Sequence, residues 1–203
     1  MKLFFSPGAC SLAPHIVLRE AQLPFELERV DTKTHKTQHG ADYYGINAKG
    51  YVPLLELDNG ERLTEGPVIA QYLADTADNR TLMPPAGTPQ RYRVMEWQSY
   101  ITSELHKSFS PLFNPAFDAA AKANFVAALR KKFDWIDSQL EGKQHLTGDA
   151  FTAADAYLFT VASWAPHVQL DLSDLKHLQA FMQRVAARPA VQEAMRAEGL
   201  LKA

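Results

Sequence analysis

The sequence has little cysteine, no long apolar run and no excess of charge of one sign. Its 203 residues include a single cysteine, Cys10. One cysteine excludes an intramolecular disulfide and any Cys-x-x-Cys redox or zinc site. No segment approaches the roughly 20 apolar residues that span a bilayer, and the apolar run at residues 3–5 is too short for a secretory signal. We therefore expect a cytoplasmic protein without a membrane partner.

Neither sign of charge dominates, because 21 Lys and Arg stand against 23 Asp and Glu. This balance gives no electrostatic reason to expect a nucleic acid partner. A hydrophobic content of 46% is typical of a folded globular chain and too high for a disordered one. His35 and His39 have the i, i+4 spacing of metal ligands on a helix, but no clear third ligand accompanies them. We expect no metal site.

The first eighty residues alternate between predicted strands and helices. Apolar runs bounded by turn residues predict strands at 3–5, 25–30 and 52–57, with a further short strand through Leu63. Asp58-Asn59-Gly60 is a hairpin signal between the last two strands. Helical patterns cover residues 10–21 and begin again at Pro67, and the polar segment 31–47 is compatible with a short helix. The predicted order is β-α-β-α-β-β-α.

The segment 82–89 contains three prolines and a glycine, which is typical of a linker. Beyond it, helical periodicity covers residues 90–107, 119–140, 152–164, 173–187 and 190–198, and no segment has a strand pattern. The chain is therefore predicted to be an α/β domain over residues 1–80, followed by an all-helical domain over residues 88–203.

Cys10 follows a predicted strand and a Pro-Gly loop, at the predicted start of a helix. Free N–H groups and the positive end of the helix dipole favour a thiolate there, so we expect the pKa of Cys10 to be lowered. The alternative is a buried and inert cysteine, which is the commoner fate of a lone one.

Two short segments suggest a site for a peptide-like ligand. Val52-Pro53 begins a strand with an X-Pro bond, where a cis bond is possible although a trans bond is commoner. In Glu65-Gly66-Pro67, the N–H groups at a helix start suit a carboxylate and Glu65 suits an ammonium group. Together they suit the end of an α-amino acid. The alternative is an ordinary glycine N-cap beside a solvated glutamate.

The helical half offers one polar stripe and one structural motif. Ser99, Ser103 and His106 fall at i, i+4 and i+7 and predict one face of a helix, which is either functional or simply solvated. Thr152 and Asp155 have the spacing of a capping box and predict the start of a buried helix.

These pieces together resemble a glutathione transferase along essentially the whole chain. Val52-Pro53, Glu65-Gly66, the proline-rich linker and the run 151–155 carry the family resemblance. The runs 6–12 and 103–107 resemble more narrowly the bacterial Beta class. The resemblance implies a thioredoxin-like N-terminal domain, an all-helical C-terminal domain and a homodimer. It also implies a detoxifying enzyme that uses glutathione as co-substrate without a metal.

The resemblance implies roles for individual residues. Cys10 and His106 would be catalytic. The glutathione contacts would be Cys10, His35, Lys36, Val52, Pro53, Glu65, Gly66, Ser99, Ser103, Glu104, His106 and Lys107, some of them from the partner subunit. Most of the family has Ser where Gly66 stands, and the class often has Lys near position 35. The electrophile pocket would be Phe109, Phe113, Phe117 and Trp164.

The implied activity is conjugation of reduced glutathione to small electrophiles, with possible thiol transfer through Cys10. A second hypothesis is a glutathione-dependent oxidoreductase or reductive dehalogenase at the same site, which requires Cys10. A third is a carrier of glutathione or apolar ligands, which needs neither Cys10 nor His106.

Overall fold

The computed structural model describes residues 1–201. Its first half is built on a five-stranded sheet with the strand order β3-β2-β1-β4-β5. The strands are β1 (Lys2–Phe5), β2 (Glu26–Asp31), β3 (Lys36–Thr37), β4 (Leu54–Glu56) and β5 (Arg62–Thr64), and the helices are α1 (Leu12–Glu20) and α2 (Gly66–Thr76). β1 pairs in parallel with β2 and antiparallel with β4. The central strand β1 therefore carries the loop that contains Cys10 out of the middle of the sheet.

The predicted order of elements is confirmed apart from the segment 31–47. That segment forms the edge strand β3 and a single 3₁₀ turn (Tyr43–Gly45) in place of an α-helix. The Asp42 carboxylate accepts a hydrogen bond from the N–H of Tyr44 and caps this one turn. The hairpin signal at residues 58–60 is confirmed, since β4 and β5 pair antiparallel around it.

The second half is helical. Its helices are α3 (Pro89–Tyr100), a π-helical segment (Ile101–His106), α4 (Lys107–Phe113), α5 (Ala119–Leu140), α6 (Ala153–Ala162), a 3₁₀ turn (Ala165–Val168), α7 (Lys176–Ala186) and α8 (Pro189–Ala197). Between residues 88 and 201 the structure has no β-strand, only an isolated bridge between His145 and Gly148. No helix within the described part of the chain is long and apolar enough to cross a membrane.

The two halves share one hydrophobic core. Buried side chains of α1 and α2 belong to the same cluster as those of α5, α6 and α7. Leu82 and Met83 of the predicted linker are also buried, and the carbonyl of Leu82 accepts a hydrogen bond from the N–H of Ala153 (2.9 Å). The linker therefore packs into the core that the two halves share. The domain limits at 80 and 88 stay a prediction.

The helix α6 is buried along its whole length and runs through this core. Thr152 and Asp155 form the predicted capping box. The Thr152 side chain accepts the backbone N–H of Asp155, and the Asp155 carboxylate accepts the backbone N–H of Thr152. The Asp155 carboxylate also accepts the N–H of Leu146 (2.8 Å). These bonds fix the start of α6, and through it the positions of Tyr157 on the helix and Trp164 just beyond it.

Candidate functional site

A cleft of about 450 Å³ lies between the two halves. The loop before α1, the entry to β4 and the start of α2 form one wall, and the π-helical segment, α4 and α6 form the other. Its lining residues are Cys10, Thr32, Asn47, Lys49, Tyr51, Val52, Pro53, Thr64, Glu65, Gly66, Pro67, Thr102, His106, Lys107, Ser110 and Tyr157. Seven predicted site residues are therefore brought together: Cys10, Val52, Pro53, Glu65, Gly66, His106 and Lys107.

The thiol of Cys10 lies on the N-terminal wall of the cleft and donates to the carbonyl of Val52 (3.2 Å). Burial raises the pKa of this thiol to about 11, and the N–H groups of Cys10 and Ser11 offset only part of that effect. The negative charge of Glu65 raises the pKa further. The expectation of a lowered pKa is therefore wrong. Helix α1 begins at Leu12, so Cys10 stands outside its first turn and desolvation dominates.

The peptide bond between Val52 and Pro53 is cis, which is the rarer of the two predicted alternatives. The segment before it is held in place by the carbonyl of Tyr51, which accepts hydrogen bonds from the Tyr43 hydroxyl (2.9 Å) and from the Asn47 amide (2.7 Å). Val52 is buried, and its carbonyl faces the thiol of Cys10. The backbone beside Cys10 therefore accepts side-chain hydrogen bonds at two consecutive carbonyls, those of Tyr51 and Val52.

The start of α2 presents a carboxylate and free N–H groups together. Glu65 occupies the N-cap position with φ of +71°, and Pro67 lies in the first turn. The Glu65 side chain is exposed and accepts a hydrogen bond from Lys49 Nζ (2.8 Å), which also donates to the Thr64 hydroxyl (3.0 Å). Lys49 is a site residue that the sequence analysis missed, because no spacing relates it to Glu65.

The opposite wall carries His106, held by two aromatic neighbours. Its Nδ1 lies 2.7 Å from the hydroxyl of Tyr157, and its ring meets Trp164 edge to face with centroids 4.8 Å apart. Burial, and secondarily the charge of Lys107, lowers the pKa of His106 to about 4. The imidazole is therefore neutral at physiological pH. Tyr157 was also missed, because its position in a buried helix made it look like a core residue.

The π-helical segment explains why His106 enters the cleft without the serines predicted beside it. The N–H of Lys107 bonds to the carbonyl of Thr102, five residues earlier, so this turn is wider than an α-helical turn. Ser99 and Ser103 are exposed outside the cleft, and Ser103 donates to the carbonyl of Ser99 (3.1 Å). The stripe predicted from α-helical spacing is thus not one face.

Comparison of the sequence with known proteins identifies the family of this chain. The sequence profile of the glutathione S-transferase N-terminal domain matches residues 8–76, and that of the C-terminal domain matches residues 100–189. The chain belongs to the glutathione S-transferase family.

Individual glutathione S-transferases match this chain over the whole of their own length. It is 50% identical to glutathione S-transferase GstA of Escherichia coli O157:H7, over 98% of this chain and 100% of the relative. A sphingomonad glutathione S-transferase complexed with glutathione is 44% identical, with a TM-score of 0.95, over 99% of this chain and 100% of that one. The Beta class enzyme of Sphingomonas chungbukensis is 45% identical, again with a TM-score of 0.95 and the same coverage. The resemblance to the Beta class is confirmed.

Three other residues predicted to bind glutathione lie outside the cleft of this transferase. His35 stacks on Tyr44, with ring centroids 4.4 Å apart, and its Nε2 lies 3.1 Å from the Tyr44 hydroxyl. Lys36 is exposed on the edge strand β3. Glu104 pairs with Lys132 (2.9 Å), which holds the π-helical segment to α5. With the two serines, these roles stay predictions.

The four residues predicted to bind the electrophile are also outside the described cleft. Phe109 and Trp164 are buried in the core. Phe113 is half exposed and packs on both of them, whereas Phe117 packs on Phe125. On the helical side the cleft is instead lined by the polar side chains Thr102, His106, Lys107, Ser110 and Tyr157. An electrophile pocket made of the four aromatics stays a prediction.

Proposed function

We propose that the protein conjugates reduced glutathione to small electrophiles in this cleft, as the names of its relatives imply. The observation that carries the proposal is the meeting of Cys10, the start of α2 and His106 around one cavity in a member of this family. Glutathione is the co-substrate. A carrier would need no imidazole on the wall opposite Cys10.

Each end of glutathione has a chemically matched partner in the cleft. Glu65 and the N–H groups at the start of α2 suit the ammonium and carboxylate groups of the γ-glutamyl end. The backbone of Val52 suits the cysteinyl part. Lys107 is exposed and suits the glycyl carboxylate, a role in which it would stand in for the His35 and Lys36 contacts.

Conjugation requires a glutathione thiolate. The free thiol has a pKa of about 8.5, so only a few per cent is ionised at pH 7. The neutral His106 is suited to donate a hydrogen bond to the thiolate sulfur of glutathione. It lies on the wall opposite Cys10, so a glutathione sulfur bound next to Cys10 would face it. Cys10 Sγ, which is held protonated, would donate to the same sulfur only by leaving the Val52 carbonyl.

The raised pKa of Cys10 speaks against the oxidoreductase alternative, because disulfide exchange starts from a thiolate. Purified protein should be assayed with glutathione and, in parallel, an aryl halide, a small disulfide and a chlorinated carboxylic acid. We expect turnover of the aryl halide. Turnover of the disulfide or the chlorinated acid alone would establish the alternative activity instead.

We also propose that the protein is a homodimer. Exposed aromatic surface supports this, because Tyr92 and Trp135 on α3 and α5 are exposed over large fractions of their side chains. Ser99 is exposed two helical turns after Tyr92 on α3, and the exposed Ser103 donates to the carbonyl of Ser99, so a partner subunit on this face would bury all three.

A further inference from the structure

The hydroxyl of Tyr157 is a polar group near the middle of the buried helix α6. The helix α6 is buried throughout, and a buried hydroxyl without a partner would destabilise the fold. The hydroxyl of Tyr157 lies 2.7 Å from His106 Nδ1 and lines the cleft that also contains Cys10. None of the binding roles proposed above uses it.

The direction of this hydrogen bond follows from the two groups. Burial raises the pKa of Tyr157, so its phenol keeps its proton. Thr102, the other polar neighbour, gives its own hydrogen to the carbonyl of Gln98 (2.8 Å). An imidazole nitrogen is a stronger base than a threonine hydroxyl oxygen, and 2.7 Å is a short contact. Tyr157 therefore donates to Nδ1.

A neutral imidazole has one N–H group. With Nδ1 accepting from Tyr157, that N–H must be on Nε2. The ring cannot turn to exchange its nitrogens easily, because Trp164 packs against it and donates its own Nε1–H to the carbonyl of Gly8 (2.8 Å). The tautomer and the orientation of His106 are thus both set by residues at or after α6.

We propose that Tyr157 is a positioning residue that holds His106 as the Nε2–H tautomer, with that N–H available to the sulfur of bound glutathione. Under this arrangement His106 stabilises the thiolate by donating a hydrogen bond. The thiol proton leaves to solvent, and no proton is transferred to the imidazole. The inference deepens the proposed conjugating function and rests on it.

The tautomer is directly measurable in the protein without ligand. The ring nitrogen-15 shifts of His106, assigned by their loss in His106→Asn, should report Nε2–H in the wild type. In Tyr157→Phe, which keeps the ring and removes the hydroxyl, a substantial fraction of Nδ1–H should appear. An Nδ1–H tautomer in the wild type would overturn the proposal even if Tyr157→Phe did not fold.

Kinetics give a second readout. Tyr157→Phe should lower kcat for an aryl halide about tenfold and leave KM for glutathione within about twofold, because the hydroxyl acts on the thiolate only through His106 and has no proposed role in binding the peptide. The midpoint of the pH profile of kcat/KM for the aryl halide, measured at saturating glutathione, should move to higher pH. The charged and titratable groups facing His106, namely Glu65, Lys107 and Cys10, are unchanged in this variant, so they do not cause the shift.

Tyr100→Phe is the matched control, since Tyr100 lies on α3 among Trp97 and Trp135, outside the cleft. It should match the wild type in rate, pH profile and His106 tautomer. An active wild type whose rate and pH profile are unchanged by Tyr157→Phe would contradict the inference alone. A wild type with the Nε2–H tautomer but no glutathione-dependent activity would instead contradict the proposed function.

Discussion

Cys10 is the single cysteine of the chain, so any thiol modification reports on one position. Its thiol donates to the Val52 carbonyl in a poorly solvated pocket, which stabilises the protonated form. Only the thiolate reacts with alkylating agents. The reactivity of this position therefore measures how strongly the pocket holds the proton.

Alkylation of Cys10 by iodoacetamide should be slow at pH 7 and should accelerate about tenfold per pH unit, up to a pKa of about 11. Intact mass against time gives the rate, and the denatured protein, in which the thiol is solvated, is the control. A rate that levels off below pH 9 would contradict the raised pKa. The same mass measurement with oxidised glutathione tests thiol transfer, and one added glutathione per chain formed rapidly at pH 7 would favour that alternative.

Glu65→Ala should weaken glutathione binding by roughly ten- to a hundred-fold. A carboxylate facing the γ-glutamyl ammonium contributes about 1.5–3 kcal/mol through a charge-assisted hydrogen bond. Calorimetry measures the affinity directly. Glu61→Ala is the control, since Glu61 is exposed on the β4–β5 hairpin, where it bonds Asn59, and should bind glutathione as the wild type does. Unchanged affinity in Glu65→Ala would remove Glu65 from the site.

At the scale of elements, the capping box shows how one buried carboxylate fixes a helix. Asp155 Oδ2 accepts from the N–H and the hydroxyl of Thr152 (both 2.7 Å), while Oδ1 accepts the N–H of Leu146. Asp155 is fully buried, so its removal would leave these donors without a partner and without water.

Asp155→Ala should lower the free energy of unfolding by about 3 kcal/mol or more, because it loses a cap and leaves several buried donors unpaired. Denaturant unfolding measures the change. Asp149→Ala is a suitable comparison, because Asp149 is exposed a few residues earlier and should lie within about 0.5 kcal/mol of the wild type. Equal stability of the two variants would show that the box is dispensable.

Elements with a local signal were predictable from the sequence, and those set by tertiary contacts were not. The hairpin at Asp58-Asn59-Gly60 and the capping box at Thr152 depend on neighbouring residues, and both are confirmed. The π-helical turn before His106 lies against α5 and α6 and has no local sequence signal, so α-helical spacing did not predict where Ser99 and Ser103 lie relative to His106. The pKa of Cys10 was mispredicted because burial leaves no sequence pattern.

The site residues divide in the same way. Glu65-Gly66-Pro67 is contiguous, and its role at a helix start is legible in the sequence. Lys49 reaches Glu65 across a hairpin, and Tyr157 reaches His106 from a helix about fifty residues later. Contacts between such distant residues appear only when the fold brings the elements together.

At the scale of the whole molecule, a second subunit is expected. Sedimentation at micromolar concentration should give a mass of twice the 22.7 kDa chain. The exposed aromatics on α3 and α5 would be desolvated in such a dimer. Trp135→Glu, which places a charge on that surface, should shift the equilibrium towards monomer. Val68→Glu, at an exposed position on α2, is the comparison and should leave the equilibrium unchanged. A monomer mass for the wild type would contradict the dimer.

The buried carboxylate of Glu198 also joins the two halves of one subunit. Glu198, just after α8, accepts the N–H of Gly8 on one oxygen (2.8 Å) and contacts His15 Nδ1 with the other (2.8 Å). Arg19 Nε donates to His15 Nε2 (3.0 Å), and an arginine can only donate. His15 is therefore neutral, with its hydrogen on Nδ1, and it donates that hydrogen to Glu198.

Gly8 precedes Cys10 by two residues, and its carbonyl accepts the indole N–H of Trp164 (2.8 Å). The peptide groups of Gly8 are thus held by one residue just after α8 and one just after α6. Losing the Glu198 carboxylate would release one side of the loop that carries the thiol. It would also leave the N–H of Gly8 and the buried Nδ1–H of His15 without an acceptor.

Glu198→Ala should therefore lower the free energy of unfolding by about 3 kcal/mol and weaken glutathione binding in the fraction that stays folded. Denaturant unfolding and calorimetry measure the two effects. Glu193→Ala is the matched control: Glu193 lies on α8 and pairs with Arg19 (3.1 Å), but the Glu193 side chain is exposed. An exposed ion pair contributes under about 1 kcal/mol, so this variant should keep both stability and affinity. If both variants lost stability equally, the general packing of α8 would account for the loss. If Glu198→Ala lost stability but bound glutathione normally, the Cys10 loop would be held without help from the C-terminal residues.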